Sequence, residues 1–145
     1  MNMLEINNLH KSFDGKEILH GVTLNVKDGE IFGFIGQNGA GKTTTIRSAV
    51  GIIDFEKGEI FIDGINIKEH PLEAKQITAY LPDNPDLYEN LSGIQYLNFI
   101  ADVYGISAEK RSEKISEYAK ELEIYDNLGD QIKSLSHGMK QKVAV

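Results

Sequence analysis

The chain has 145 residues, no cysteine, a formal net charge of -7, and 41% hydrophobic and 26% charged residues. A chain of this size forms one domain that buries an apolar core, the lack of thiols excludes disulfides and thiolate metal sites, and the acidic balance argues against a general nucleic-acid binder, which needs a basic face. No apolar run approaches the roughly eighteen residues of a bilayer span, and the start MNMLEINNLHKSF lacks the basic head and apolar body of a secretory signal, so a cytoplasmic location is expected.

Residues 1–67 are rich in strand signals. Three Asp-Gly pairs, Asp14-Gly15, Asp28-Gly29 and Asp63-Gly64, separate segments such as ILHGVTLNV and EIFIDGINI, and predict hairpin turns. The run EIFGFI, Glu30 to Ile35, is short and apolar and predicts a buried strand. It leads into the glycine-rich stretch GQNGAGKTT, Gly36 to Thr44, and a helix is expected from about Lys42 to Val50. The next region, PLEAKQITAYLPDNPDLYEN, holds Pro71, Pro82 and Pro85 and predicts extended, exposed chain around 82 to 90.

From Leu91 the pattern turns helical. Ser92 with Gln95 forms a capping box, and Ile94, Leu97, Ala101 and Tyr104 fall on one helix face. Gly105 ends this helix, Ser107 caps the next, and Ile115, Ala119 and Leu122 share the buried face of that second helix. The stretch SLSHGMKQKVAV, Ser134 to Val145, reads as the beginning of another helix, with Lys140 and Lys142 on its solvated face. The tyrosines, mostly in this half, read as packing residues. His10, His20 and His70 stand singly without metal-ligand spacing and read as solvent-facing or hydrogen-bonded.

The chemistry concentrates at Gly36-x-x-x-x-Gly41-Lys42-Thr43, which fits the phosphate-loop pattern G-x-x-x-x-G-K-[ST]. Gly36, Gly39 and Gly41 let backbone N–H groups curl around a polyphosphate, and the following helix presents its positive end. Gln37, Asn38, Ala40 and Thr44 complete the loop. Lys42 places an ammonium on the β- and γ-phosphates, and the Thr43 hydroxyl is a ligand for Mg²⁺. This loop alone leaves GTPases, kinases, helicases and transport ATPases open.

Leu135-Ser136-His137-Gly138-Met139, followed by Lys140-Gln141-Lys142, resembles the LSGGQ signature of ATP-binding cassette (ABC) proteins. The distance from the phosphate loop, the helical insert and the strand-rich N-terminal part also resemble that family, over essentially the whole chain. SxGMKQ is similar to the exporter-like branch. The resemblance implies an α/β fold: a P-loop NTPase core with an N-terminal antiparallel β-subdomain and a helical subdomain. It divides the chain into residues 1–82 (β-subdomain and phosphate-loop core), 83–90 (the Q-loop region) and 91–145 (the helical subdomain, ending at the signature helix).

The resemblance also implies roles. Phe13 stands where the family places an aromatic that stacks on adenine, with a plain sheet residue in a hairpin as the alternative. Asp83 stands where the Q-loop has Gln or Glu, near Mg²⁺ and the attacking water, and an ordinary loop aspartate is the alternative. Residues 84–90, with Leu87 and Tyr88 as candidate contacts, would meet a transmembrane permease subunit at the inner face of the membrane; the same two residues read equally as core. Ser136 and Gly138 would face the γ-phosphate of ATP held by a second ATP-binding subunit in a head-to-tail dimer. His137 and Met139 depart from the signature.

In the family an apolar strand ending in Asp-Glu follows the signature, and then a switch histidine. Neither is present in the 145 residues. Ile60-Phe61-Ile62-Asp63 and Gly51-Ile52-Ile53-Asp54 lie before the signature, and neither Asp precedes a Glu. The resemblance therefore implies a transport ATPase truncated after its signature, which binds ATP and hydrolyses it slowly by itself. An ABC-type ATPase acting on ribosomes or DNA would carry a second cassette or a basic arm. A nucleotide-responsive interaction module would bind ATP without hydrolysis.

Overall fold

A computed structural model describes residues 2–145, which fall into two compact units that meet between Tyr80 and Leu81. The first is a four-stranded antiparallel sheet with two helices. Its strands are β1 (Asn2–Phe13), β2 (Lys16–Lys27), β3 (Lys57–Ile62) and β4 (Ile65–Asn66), in the order β2-β1-β3-β4. Asp14-Gly15 joins β1 to β2 and Asp63-Gly64 joins β3 to β4, both as two-residue turns with positive φ at each residue, the turn type that matches strand twist.

Period-two alternation, shifted by one residue at the irregularity between Ile6 and Leu9, turns Ile6, Leu9, Leu19, Ile60 and Ile62 to one side, where they form a core with Phe55, Ile67 and the helix residues Ala49 and Ala74. Ala49 belongs to α1 (Lys42–Ala49), the helix expected after the phosphate loop. Ala74 belongs to α2 (Pro71–Gln76), a helix not expected from the sequence; Pro71 sits in its first turn, where a missing N–H costs nothing.

The expected strand Glu30–Ile35 is not formed. No other strand among the described residues pairs with it, and an apolar strand is stable only when its edges are hydrogen bonded. Asp28-Gly29 is accordingly a turn, closed by the Glu30 N–H to the Lys27 carbonyl at 3.1 Å, but not a hairpin. The alternation of the segment survives: Phe32 and Phe34 line a groove with Leu4, Leu24 and Ile46, while Ile31 and Ile35 point away, fully exposed.

The second unit contains α3 (Gly93–Val103), α4 (Ala108–Glu121) and α5 (His137–Ala144), with short 3₁₀ turns at Tyr125–Asn127 and Ile132–Ser134. The capping box is present: Gln95 N–H donates to Ser92 Oγ at 3.3 Å, and Ser92 N–H to Gln95 Oε1 at 2.9 Å. Ser107 occupies the N-cap of α4, but its side chain makes no capping bond. Ile94, Leu97, Ile115, Ala119 and Leu122 reach a common core with Ile124, Leu128, Ile132, Leu135 and Val143. Residues 77–91 carry no helix or strand, as the prolines require, although Leu87 turns back into this core.

Several side chains depart from expectation. Tyr104 is not on the buried face of α3; as its C-cap it is 77% exposed, because the helix ends before completing that turn. Tyr88, Tyr118 and Tyr125 are also exposed rather than buried, since the small second unit has little interior to offer them. Lys140 is not simply solvated but is paired with Glu89 at 2.6 Å. His10 and His20, expected to be solvent-facing or hydrogen-bonded, are so, but they do not stand singly: they lie directly opposite on the β1–β2 hairpin and share Glu17, at 2.7 and 3.1 Å. The first of these contacts holds the Glu17 carboxyl below its usual value.

Candidate functional site

The loop Gly36–Gly41 enters α1 through a sharp reversal. Ala40 N–H donates to the Gln37 carbonyl at 3.2 Å, and Gly39 and Gly41 take φ of 83° and 88°. At Gly41 only glycine fits: a Cβ there would lie 2.5 Å from Leu19 Cδ2 of β2, so the loop is seated directly on the sheet. Gly41 is also the N-cap of α1, and a residue without a side chain leaves the first-turn N–H groups of the helix uncapped. Thr45 anchors the turn from beneath, its N–H and Oγ1 both donating to the Gly41 carbonyl at 2.8 and 2.9 Å.

Lys42 Nζ folds over the loop and donates to the carbonyls of Gly36 and Gln37 at 2.6 and 2.7 Å. Gln37, Asn38, Gly39 and Ala40 are exposed around it, Thr43 is exposed one residue further, and Thr44 is half-buried. Uncapped amides, an ammonium and no acidic residue in the first turn of α1 make a positive surface of anion-binding type. The exposed Thr43 hydroxyl is a hard oxygen donor of the kind that suits Mg²⁺.

Phe13 is the last residue of β1 and is 45% exposed. Lys11 Nζ lies over its ring, 5.1 Å from the centroid, and pairs with Glu56 at 3.0 Å. That bond holds the Glu56 carboxyl below its usual value. Neither Lys11 nor Glu56 stood out in the sequence, since nothing local links residues so far apart in the chain.

In the second unit, Ser136 caps α5 in an extended conformation, its Oγ accepting from Met139 N–H at 3.3 Å. Ser136, His137 and Gly138 are exposed at the end of the helix, and a Cβ on Gly138 would meet nothing within 4 Å. Asp83 is exposed, and its backbone carbonyl accepts from Gln141 Nε2 at 3.1 Å, which ties the expected Q-loop residue to the signature helix. The Lys140–Glu89 pair adds a second tie between that helix and the same loop and holds the Glu89 carboxyl below its usual value. Phe13 and the phosphate loop belong to the first unit; Asp83, Ser136 and Gly138 belong to the second.

The family model described as ABC transporter matches residues 19–145. The chain belongs to the ABC transporter family. Among curated ABC relatives, the uncharacterized ATP-binding protein YhcH of Bacillus subtilis is 39% identical over 99% of this chain and 46% of its own length. The ATP-binding protein EcsA of Bacillus subtilis is 34% identical over 100% and 59%. The lipopolysaccharide export system ATP-binding protein LptB of Escherichia coli is 36% identical over 100% and 61%. The chain thus spans about half to three-fifths of the length of these relatives.

A solved ATP-binding subunit of an ABC transporter superposes with a TM-score of 0.87 at 33% identity, covering 98% of this chain and 59% of that one. CbiO1 of Clostridium perfringens, part of the complex cbiONQ, gives 0.86 at 24% identity, which bears on the fold alone. The fold is the corresponding part of an ABC ATPase domain. No helix among the described residues is long and apolar enough to cross a membrane.

Proposed function

We propose that this chain binds magnesium-ATP as the energy-coupling, ATP-binding subunit of an ABC transporter. One observation carries the reading: a glycine-rich loop seated on β2, with uncapped helix amides and the Lys42 ammonium turned onto it. On binding, Lys42 Nζ exchanges the carbonyls of Gly36 and Gln37 for oxygens of the β- and γ-phosphates. The amides of the loop and first helical turn donate to the same polyphosphate. The Thr43 hydroxyl is the residue of this loop that would hold Mg²⁺, which when bound neutralises charge on the phosphates. Phe13 stacks on adenine.

Ser136 and Gly138, at the exposed end of α5, serve a second copy: the helix terminus faces the γ-phosphate held by that copy's phosphate loop, so ATP joins two subunits head to tail. Residues 84–90 form the contact with a transmembrane permease subunit, where exposed Tyr88 packs edge-on against Tyr96 and Phe99. The subunit therefore works on the cytoplasmic face of the membrane and uses no nucleic acid. Export is the favoured direction, supported by similarity to proteins named for lipopolysaccharide export and linearmycin resistance. The 145 residues hold no Asp-Glu pair to supply a general base, so this chain alone hydrolyses ATP slower than a complete cassette by roughly 10²- to 10⁴-fold.

Calorimetric titration with magnesium-ATP tests the reading. Lys42→Ala is expected to weaken binding about 10- to 100-fold, the loss of a charge-assisted contact worth roughly 1.5–3 kcal/mol. Absence of binding to the folded wild-type chain, or an unchanged affinity in the variant, overturns it.

A further inference from the structure

The end of β1 is clamped by a residue far away in the chain. Glu56 grips three successive residues: its N–H donates to the His10 carbonyl at 3.2 Å, its Oε1 accepts from Lys11 Nζ at 3.0 Å, and its Oε2 accepts from Ser12 N–H at 2.9 Å. Glu56 is itself fixed through its neighbour Phe55, which is buried, with Lys68 Nζ 3.9 Å from its ring centroid and bonded to its carbonyl at 2.7 Å. The clamp leaves the Lys11 side chain only 14% exposed, unusually low for a lysine. Its ammonium is held over the Phe13 ring at a distance where the attraction between cation and aromatic face is effective.

We propose that Lys11, held by Glu56, is a positioning residue that fixes the Phe13 ring as a one-sided platform for a purine base. The proposal rests on the reading of Phe13 as the base-stacking residue and extends it. With a cation on one face, the ring offers its other face to a planar ligand. The same attraction holds the ring in place, so less rotational freedom is lost when the base stacks. Because the charge of Lys11 is matched by Glu56, the pair adds little net field, and its effect belongs to the base and not to the triphosphate.

That separation defines the experiment. Affinities for magnesium-ATP and for magnesium-tripolyphosphate are measured by calorimetry on the wild type, Lys11→Met, Lys11→Arg, Glu56→Gln and Phe13→Ala, with thermal melting to establish that each is folded. Lys11→Met and Glu56→Gln are expected to weaken ATP binding roughly 2- to 10-fold. Binding of tripolyphosphate should be unchanged, and Lys11→Arg, which retains a cation able to lie on the ring, should restore ATP binding. Equal losses for both ligands, or no loss for ATP where Phe13→Ala shows one, overturn the role of Lys11 alone. If Phe13→Ala leaves ATP affinity unchanged, base stacking itself falls and the platform with it, whereas nucleotide binding is judged separately by Lys42→Ala.

Discussion

Gly58 shows how a single missing side chain sets the register of the sheet. It is the second residue of β3, at φ 101°, opposite the irregularity in β1 where Asn8 takes a positive φ of 50°. A Cβ at Gly58 would lie 2.6 and 2.7 Å from the carbonyl oxygens of Asn8 and Asn7. These are backbone atoms that cannot swing aside, so Gly58→Ala must either strain its own dihedrals or push β3 away from β1. The expected loss is about 2–4 kcal/mol of unfolding free energy, read by chemical denaturation. Gly15→Ala, at a position where a Cβ would meet nothing within 4 Å, carries only the conformational part of that cost and serves as the comparison. The Asp-Gly pair marks Gly15 as a turn residue in the sequence, but no pattern marks Gly58, because its constraint lies in what another strand brings close.

At the scale of elements, the best-read features are those whose partners lie within a few residues. Ser92 and Gln95 satisfy each other across one turn, and Asp14-Gly15 closes its own hairpin, so both were legible from local spacing. Ser92→Ala removes the acceptor for the Gln95 N–H at the start of α3 and is expected to cost about 1 kcal/mol. For a unit of this size that lowers the melting temperature by roughly 4–8 °C, which calorimetry resolves. The geometry of the glycine-rich loop is local in the same way, since Lys42 reaches the carbonyls of Gly36 and Gln37 within its own motif. The segment Glu30–Ile35 was misread because a strand is a relation between segments: its composition is that of a buried strand, but no pairing partner is present among the described residues. The Glu56 clamp and the His10–Glu17–His20 cluster were invisible for a similar reason, arising only once β1 lies against its neighbours.

Over the whole molecule, the largest departure from an ordinary soluble surface is that same segment, with Ile31 and Ile35 fully exposed beside unpaired backbone. Extended apolar chain with free N–H and C=O groups is a template for pairing with another molecule. The weight-average mass of the 145-residue chain in sedimentation is therefore expected to rise with concentration, and Ile31→Lys with Ile35→Lys to abolish the rise. A wild-type mass that stays at the monomer value across the same range contradicts the expectation.

Adjacent residues of α5, Lys140 and Gln141, hold Glu89 and Asp83 at either end of one loop. Tied to α5 at two points, the loop is expected to follow the helix, so that a tilt at the Ser136 end carries Tyr88 with it.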